Sequence, residues 1–345
     1  MNKVADIYIL GIESSCDDTS ISVCRNNEVL SNITASQKIH SKYGGVVPEL
    51  ASRAHQENIV PVYDEALKEA GVTLEQINAI AYTHGPGLLG SLLVGCSFAK
   101  SLSIASKKPL LAINHMEAHI LAHTAKNNPD GNPTYPYLNL TVSGGHTQLV
   151  KVKSATEFEL IGESIDDAAG EAFDKGAKTL GLPYPGGPHI DKTAKKGDPL
   201  KYTFPIPKIG EYEFSFSGIK TSLLYFLQKE SKKNENFITE NLEDICASYQ
   251  HGIVSALLKK VEYTADKLML DNICVSGGVS ANSYLNESLR KLGVKKGWNV
   301  FIPPLSLCTD NGAMIALAGY QKYLCNSFST IDAAPKSRWK PGVSL

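Results

Sequence analysis

VSGGHT (Val142–Thr147) and VSGGVS (Val275–Ser280) are near-copies of one another in a chain of 345 residues. Each closes a short apolar run, Tyr137–Val142 before the first and Asn272–Val275 before the second, so each falls where a strand gives way to a turn. A match this short carries weight only because it recurs at strand ends. The elements around the two copies repeat as well. From the N-terminus, Ile7–Ile12, Thr19–Cys24 and Glu28–Thr34 read as a three-stranded meander. Helix Pro48–Ala70 follows, closed by Gly71, then strand Ala79–Thr83, helix Leu88–Ala105, strand Leu110–Ile113 and a helix from His115. The segment NNPDGNPTYP (Asn127–Pro136) reads as a linker or surface loop. Beyond it the order returns: a meander Tyr137–Val142, Gln148–Lys153 and Phe158–Gly162, then helix Asp167–Leu180. A long insertion rich in Pro, Gly and Lys interrupts. Helix Leu242–Lys267, strand Asn272–Val275, helix Asn282–Leu292, strand Val300–Ile302 and helix Asn311–Leu324 complete the set.

The order βββαβαβα is thus written twice. Two such lobes facing each other describe an α/β, actin-like ATPase (ASKHA) fold, two duplicated RNase H-like lobes with an interlobe cleft for a nucleotide. The expected division is 1–130 for the N-terminal lobe, joined by the tail 325–345. The C-terminal lobe is 131–324, with an insertion at about 183–240.

Composition excludes several classes. Hydrophobic residues make up 43% and charged residues 20%, as in an ordinary soluble domain and unlike a disordered chain or a coiled coil. The formal net charge of −1 excludes a strongly basic nucleic-acid binder but not a local basic patch. Seven cysteines without a CxxC pair point to a reducing cytoplasm. The N-terminal apolar run is about six residues long and meets acids, so it reads as a strand rather than a signal peptide. The apolar window Gly85–Ala105 carries Lys100 and reads as a buried helix, so no membrane association is expected.

A strand ending in Ser-Gly-Gly brings successive backbone N–H groups close to an anion. Ser143, Gly144 and Gly145 would cradle one phosphate, and Gly277 and Gly278, with Ser280 and Asn282 at a helix start, another part of a nucleotide. The blander alternative is a tight turn. GIESSCDDTSISV (Gly11–Val23) clusters Glu13, Asp17 and Asp18 around the first hairpin. Beside phosphates they would hold a cation or orient a water or amine; otherwise they are solvated turn acids.

NHMEAHILAH (Asn114–His123) spaces His115, His119 and His123 by four, on one side of a helix. Two imidazoles one turn apart are a common metal chelate, though also an ordinary polar face. A zincin HExxH needs Glu after the first His, where this chain has Met116, so a metalloprotease is disfavoured. Asp310, in CTDNG just before the last helix, is either an N-cap or a cleft residue of the second lobe. With His115 and His119 it would make a two-His-one-carboxylate site, suited to iron(II) and open to zinc. Between Lys175 and Lys220, eight lysines (175, 178, 192, 195, 196, 201, 208 and 220) face four acids. Beside Phe214 and Phe216 they could meet a phosphate backbone and stack a base, although a solvated loop is the slightly favoured reading. Lys336, Arg338 and Lys340 form a second basic cluster.

Ten stretches together resemble, in order, the bacterial TsaD (Gcp) family. They are GIESSCDDTS, SQKIHSKYGGVVPELASRAH, HGPGLLGSLLVG, NHMEAHILAH, VSGGHTQLV, GESIDDAAGEAFDKGAK, YPGGP, FSFSGIKT, SGGVSAN and CTDNGAMIA. They cover about residues 10 to 320. The resemblance implies a tRNA N6-adenosine threonylcarbamoyltransferase. Such an enzyme moves the threonylcarbamoyl group of threonylcarbamoyl-AMP to N6 of the adenosine 3′ of the anticodon, in tRNAs reading codons that begin with A, and releases AMP. It further implies His115, His119 and Asp310 as ligands of one iron(II) per subunit, with zinc an alternative. Thr141, Val142, Ser143, Gly144, Gly145, Asp174, Gly187, Asp191 and Asn282 are implied as nucleotide-binding positions, and Asp17 as an acid needed for activity. Implied partners are tRNA, a TsaB-type paralogue and a TsaE-type ATPase. Two positions depart from the family. Asp18 stands where Glu is frequent and receives no role. Thr141 stands where archaeal relatives place a tyrosine ligand, so substrate or water is expected to complete the metal's sphere. A sugar kinase or a chaperone-like ATP switch would share the fold, but a kinase would have no reason for the histidine pair.

Overall fold

The computed structural model describes residues 6–205 and 209–344. It resolves the chain into β1 (Tyr8–Glu13), β2 (Asp18–Arg25), β3 (Glu28–Ser36), α1 (Pro48–Ala70), β4 (Ala79–Gly85), α2 (Leu89–Ser106), β5 (Leu110–Asn114) and α3 (His115–Leu121). There follow β6 (Tyr137–Val142), β7 (Thr147–Ser154), β8 (Glu157–Glu163), α4 (Ala169–Thr179), α5 (Gly186–Ala194), α6 (Ser217–Ser231), α7 (Phe237–Glu240) and α8 (Leu242–Leu268). The last elements are β9 (Asn272–Ser276), α9 (Ser283–Lys296), β10 (Asn299–Phe301) and α10 (Gly312–Leu324).

The duplication is explicit in the two sheets. The first runs β3-β2-β1-β4-β5 and the second β8-β7-β6-β9-β10. In the first, β1 pairs antiparallel with β2 and parallel with β4. In the second, β6 and β9 are parallel, as are β9 and β10. Parallel strands require a crossover, and the intervening helices supply it.

The chain divides into two compact units. One comprises residues 1–135, 152–159 and 303–345, the other 136–151 and 160–302. The C-terminal boundary differs from the sequence expectation: the chain enters the first unit at Pro303, not at 325. Apolar α10 packs on β1, β2, β4 and β5, burying every residue from Gly312 to Gly319, so Asp310 and α10 belong to the first unit and not to a second lobe.

Strand β1 is buried on both faces. Leu10 and Ile12 join Ile59, Val62 and Ala66 of α1 in one core, while Ile9 faces Gly319 of α10. Alternation then sends Glu13 to the same face as Ile9, toward α10. The second unit has a separate core in which α8 buries Ile245, Tyr249, Ile253, Leu257 and Val261, the three-to-four spacing read from the sequence. Each side chain of this size contributes roughly 1.5–3 kcal/mol on burial.

The insertion is not the loop its composition suggested. It contains α5 and α6, the latter burying Ile219, Leu223 and Leu227 at intervals of four. Helix α5 begins at Gly186 inside the PGGP turn signal, and its first N–H donates to Asp174 Oδ1 at 2.7 Å. An acceptor twelve residues away, on α4, supplies what a local cap would.

Candidate active site

The first unit gathers one cluster of ligand-type side chains. At the end of β5 the Asn114 side chain accepts from the N–H groups of Met116 (2.9 Å) and Glu117 (3.2 Å), starting α3 immediately after the strand. One turn later His119 follows His115, their rings 4.7 Å apart and nearly perpendicular. Asp310 is not the N-cap of α10; Asn311 is, accepting from Met314 N–H at 2.8 Å. The Asp310 carboxylate is left to face the histidines, with Oδ1 at 3.1 Å from His119 Nε2 and 3.4 Å from His115 Nε2. One ligand atom from each of the three residues lies within 4.8 Å of the others. His123 is not part of this group. Helix α3 ends at Leu121, and the following turn tightens to a 3-10 turn that carries His123 off the shared face.

Behind the histidines sits Glu13, fully buried, which the sequence grouped with Asp17 and Asp18 as a turn acid able to hold a cation or orient a water or amine, without linking it to His115. Its carboxylate accepts from Ser15 N–H (2.5 Å), Thr83 Oγ1–H (2.6 Å) and His115 Nδ1–H (3.0 Å). Burial works against ionisation of Glu13 and Asp310, but the His115 ring, joined at Asp310 by His119, outweighs it and holds both carboxyls below their ordinary range. The same two acids overcome the burial of His115 and raise its pKa well above that of a free imidazole. Anions that draw a proton onto a buried ring also favour a metal cation. Two imidazoles and a carboxylate, with a further acid behind, fit a divalent ion.

The β1–β2 turn carries Asp17 and Asp18, both half-buried. Its backbone is pinned by two helices. The Cys16 carbonyl accepts from His55 Nε2–H of α1 and from Ser91 Oγ–H of α2, each at 3.0 Å. The Ser15 carbonyl accepts from Leu88 N–H at 2.8 Å. Burial and the acids Asp310, Asp17 and Glu13 push Asp18 up to about 7, against a hydrogen bond from Ser36. Sequence reasoning missed His55; the signal was a histidine on the apolar stripe that α1 turns to the sheet. Glu13 also left a signal, an acid closing a strand that is apolar at every preceding position but glycine.

The second unit holds the remaining expected positions. Thr141 Oγ1 accepts from Asn139, which also donates to Ser276 Oγ, so the ends of β6 and β9 are tied just ahead of their glycine turns. Val142 is buried. Ser143 N–H donates to the His146 carbonyl at 2.8 Å, and Ser143 Oγ accepts from His146 N–H. That occupies one of the three amides expected to face a phosphate. Gly144 and Gly145 are exposed at the tip, and their N–H groups make no bond among the described residues. Asp174 spends Oδ1 on Gly186 N–H beside Gly187, and burial raises its pKa against that bond. Asp191 accepts from Ser283 N–H and Oγ–H at the start of α9. Asn282 caps that helix through Leu285 N–H and donates to Gln250 Oε1. Four of the eight lysines are paired: Lys175 and Lys220 both with Asp167, Lys201 with Asp244 and Lys196 with Glu243. Lys208 lies outside the described residues.

Comparison with known proteins decides the family. The pattern of the tRNA N6-adenosine threonylcarbamoyltransferase (TsaD) family matches residues 28–317. The chain belongs to this family. A curated tRNA N6-adenosine threonylcarbamoyltransferase of Christiangramia forsetii is 54% identical over 97% of this chain and 98% of its own. The fold agrees with the sequence reading, and its solved neighbours are actin-like ATPase (ASKHA) proteins. Among them, HypF of T. kodakarensis has a TM-score of 0.62 at 14% identity, covering 95% of this chain and 49% of its own. The (R)-2-hydroxyglutaryl-CoA dehydratase component A of Acidaminococcus fermentans has a TM-score of 0.55 at 16% identity, covering 92% and 99%. For this TsaD family member the residue-level assignments rest on the geometry above.

Proposed function

We propose that this TsaD family transferase moves the threonylcarbamoyl group of threonylcarbamoyl-AMP to N6 of adenosine 37, in tRNAs reading codons that begin with A, using the first-unit cluster as its metal centre. The observation that carries the reading is the convergence of His115, His119 and Asp310 in a chain of this family. These three residues would hold one divalent ion, iron(II) or zinc. When bound, it supplies Lewis-acid polarisation and a template for substrate oxygens.

Adenine N6 is a weak nucleophile because its lone pair is delocalised into the ring. The mixed anhydride compensates: the new bond joins N6 to the carbamoyl carbon, the carbon–oxygen bond to the phosphate breaks, and AMP leaves with the electron pair. The N6 proton must be lost, and Asp17, on a turn fixed by His55 and Ser91, would orient N6 or accept that proton. The free N–H groups of Gly144 and Gly145 would take the adenylate phosphate charge. Thr141, Val142, Ser143, Asp174, Gly187, Asp191 and Asn282 are the other proposed substrate-binding positions.

A TsaB-type paralogue and a TsaE-type ATPase are the proposed partners. The packed helices α1 and α2 support a docked partner: Val60, Leu89, Leu93 and Ile104 are each about half exposed or more. Helix α2, read from the sequence as buried, buries only Ser91, Leu92, Gly95, Cys96 and Ala99; it is apolar and long enough to cross a membrane but packs on β4 and carries Lys100, whose Nζ–H donates to Ala333 O. A cytoplasmic enzyme is the better reading. Nucleoside mass spectrometry of tRNA after depletion tests the function, with loss of threonylcarbamoyladenosine expected. Unchanged levels would refute it.

A further inference from the structure

We infer that Glu13 is a positioning residue for the metal centre, selecting the ring nitrogen with which His115 binds; the inference rests on the metal reading above. Three donors converge on one buried carboxylate. Oε1 accepts from Ser15 N–H at 2.5 Å. Oε2 accepts from Thr83 Oγ1–H at 2.6 Å and from His115 Nδ1–H at 3.0 Å. Strand alternation puts Glu13 on the α10-facing side of β1, and Thr83 on the same side of neighbouring β4, since Ala81 two residues earlier faces Gly319 of α10.

The consequence falls on His115. With its proton held at Nδ1, the lone pair is at Nε2, the atom that faces Asp310. His119 has no such support: its Nε2 also faces Asp310, but its buried Nδ1 has no hydrogen-bond partner among the described residues. The two histidines are therefore unequal. His115 is a carboxylate-backed ligand of fixed tautomer and greater basicity, and His119 meets Asp310 through Nε2 without a carboxylate behind its ring.

A glutamine at position 13 cannot reproduce this. An amide has one oxygen and one NH2, while Ser15 N–H and His115 Nδ1–H donate to opposite oxygens of Glu13; the Thr83 hydroxyl can adapt, since it also reaches the Ile12 carbonyl at 3.3 Å. If the NH2 faces Ser15, two donors are buried against each other. If it faces His115, either the ring accepts at Nδ1 and carries its proton at Nε2, where the metal lone pair is needed, or Nδ1–H turns to the longer contact with Ser15 Oγ at 3.2 Å and loses its carboxylate.

Zn2+ titration against a competing chelator, on the purified full chain, tests the inference. Glu13→Gln is expected to weaken Zn2+ binding about 10–100-fold, the range for an outer-shell partner, with an unchanged circular dichroism spectrum. His115→Ala and Asp310→Ala are the controls. If they lose Zn2+ while Glu13→Gln binds like wild type, the inference fails and the metal reading stands. If none of the three changes the affinity, both fail. Because Glu13 is buried, its variant could misfold, so ring-nitrogen NMR of the Zn2+-loaded wild-type protein gives an independent readout. With the His115 signals assigned by loss in His115→Gln, a protonated Nδ1 and a metal-bound Nε2 are expected. An unprotonated or metal-bound Nδ1 would overturn the inference.

Discussion

The two units build their sites from different materials. In the first, the candidate ligands are side chains set by other side chains or by a helix start: Glu13 behind His115, Asn114 beneath α3, Asn311 beside Asp310. In the second, the candidate phosphate site is backbone, two exposed glycine N–H groups on a turn closed by Ser143 and His146. A side-chain site fails when an atom is removed. A backbone site fails when an atom is added. The contrast predicts opposite mutational signatures for the two.

The largest effect is expected at Asp310. Asp310→Ala removes a ligand outright, so Zn2+ affinity should fall by more than the roughly 10–100-fold cost of losing an outer-shell partner, and transfer to tRNA should drop to background. Chelation gives the companion measurement. A metal that binds only the native state raises Tm, so a chelator should lower the Tm of the wild type and leave that of Asp310→Ala unchanged. An Asp310→Ala protein that keeps both its metal and full transfer would remove the first unit's side of the comparison.

Next comes Gly277, where the second unit is structural rather than functional. It sits at φ +87°, and an added Cβ would lie 2.5 Å from the Val142 carbonyl oxygen. Backbone strain and overpacking together should cost about 2–4 kcal/mol in Gly277→Ala, read as a lower urea midpoint. An alanine variant of wild-type stability would show that this turn is looser than its twin.

How much of this could be read in the sequence follows the same division. The duplicated fold was legible because periodicity and turn residues are local: the buried positions of α8 and the repeated VSGG turns carry their own signal. His115 and His119 were legible from spacing four on one helix. Glu13 was legible only as one of three turn acids; its place behind His115 was not, because it depends on Thr83 and His115, 70 and 102 residues away. Helix α5 was hidden for the same reason, its cap coming from Asp174 on another helix while its own sequence spells a turn. The lysines of the insertion suggested a basic patch because charge was counted along the chain, whereas Asp167 lies between Lys175 and Lys220 in space. The domain boundary near 325 misplaced α10, whose apolar face fits either sheet on composition and is assigned only by packing on β1.

A pH effect separates the buried side chains of the first unit from its metal centre. Burial, together with the cations Lys336, Lys100 and Lys322, lowers the His84 pKa to about 4. The unfolded ring titrates near 6.5. Above that pH both states are neutral and nothing is lost. As pH falls from about 6.5 toward 4 the unfolded chain takes up a proton that the folded one refuses, so stability declines, by on the order of 3 kcal/mol. His84→Gln should flatten that part of the profile in urea titrations between pH 7 and 4.5. An identical slope in the variant would assign the loss to other groups.

The smallest and most discriminating effect belongs to Gly144. Nothing lies within 4 Å of a Cβ built there, and its φ is not in the left-handed region. Gly144→Ala should therefore leave stability within about 0.5 kcal/mol of wild type, as for a surface change. If the Gly144 and Gly145 N–H groups meet a phosphate, the methyl group obstructs close approach of the anion. AMP affinity should then fall about tenfold, ~1.4 kcal/mol. Loss of affinity without loss of stability identifies a backbone site by the atom it cannot tolerate. Unchanged AMP binding would return the VSGG turn of the second unit to the status of a tight turn and leave the first unit's cluster as the chain's candidate chemical centre.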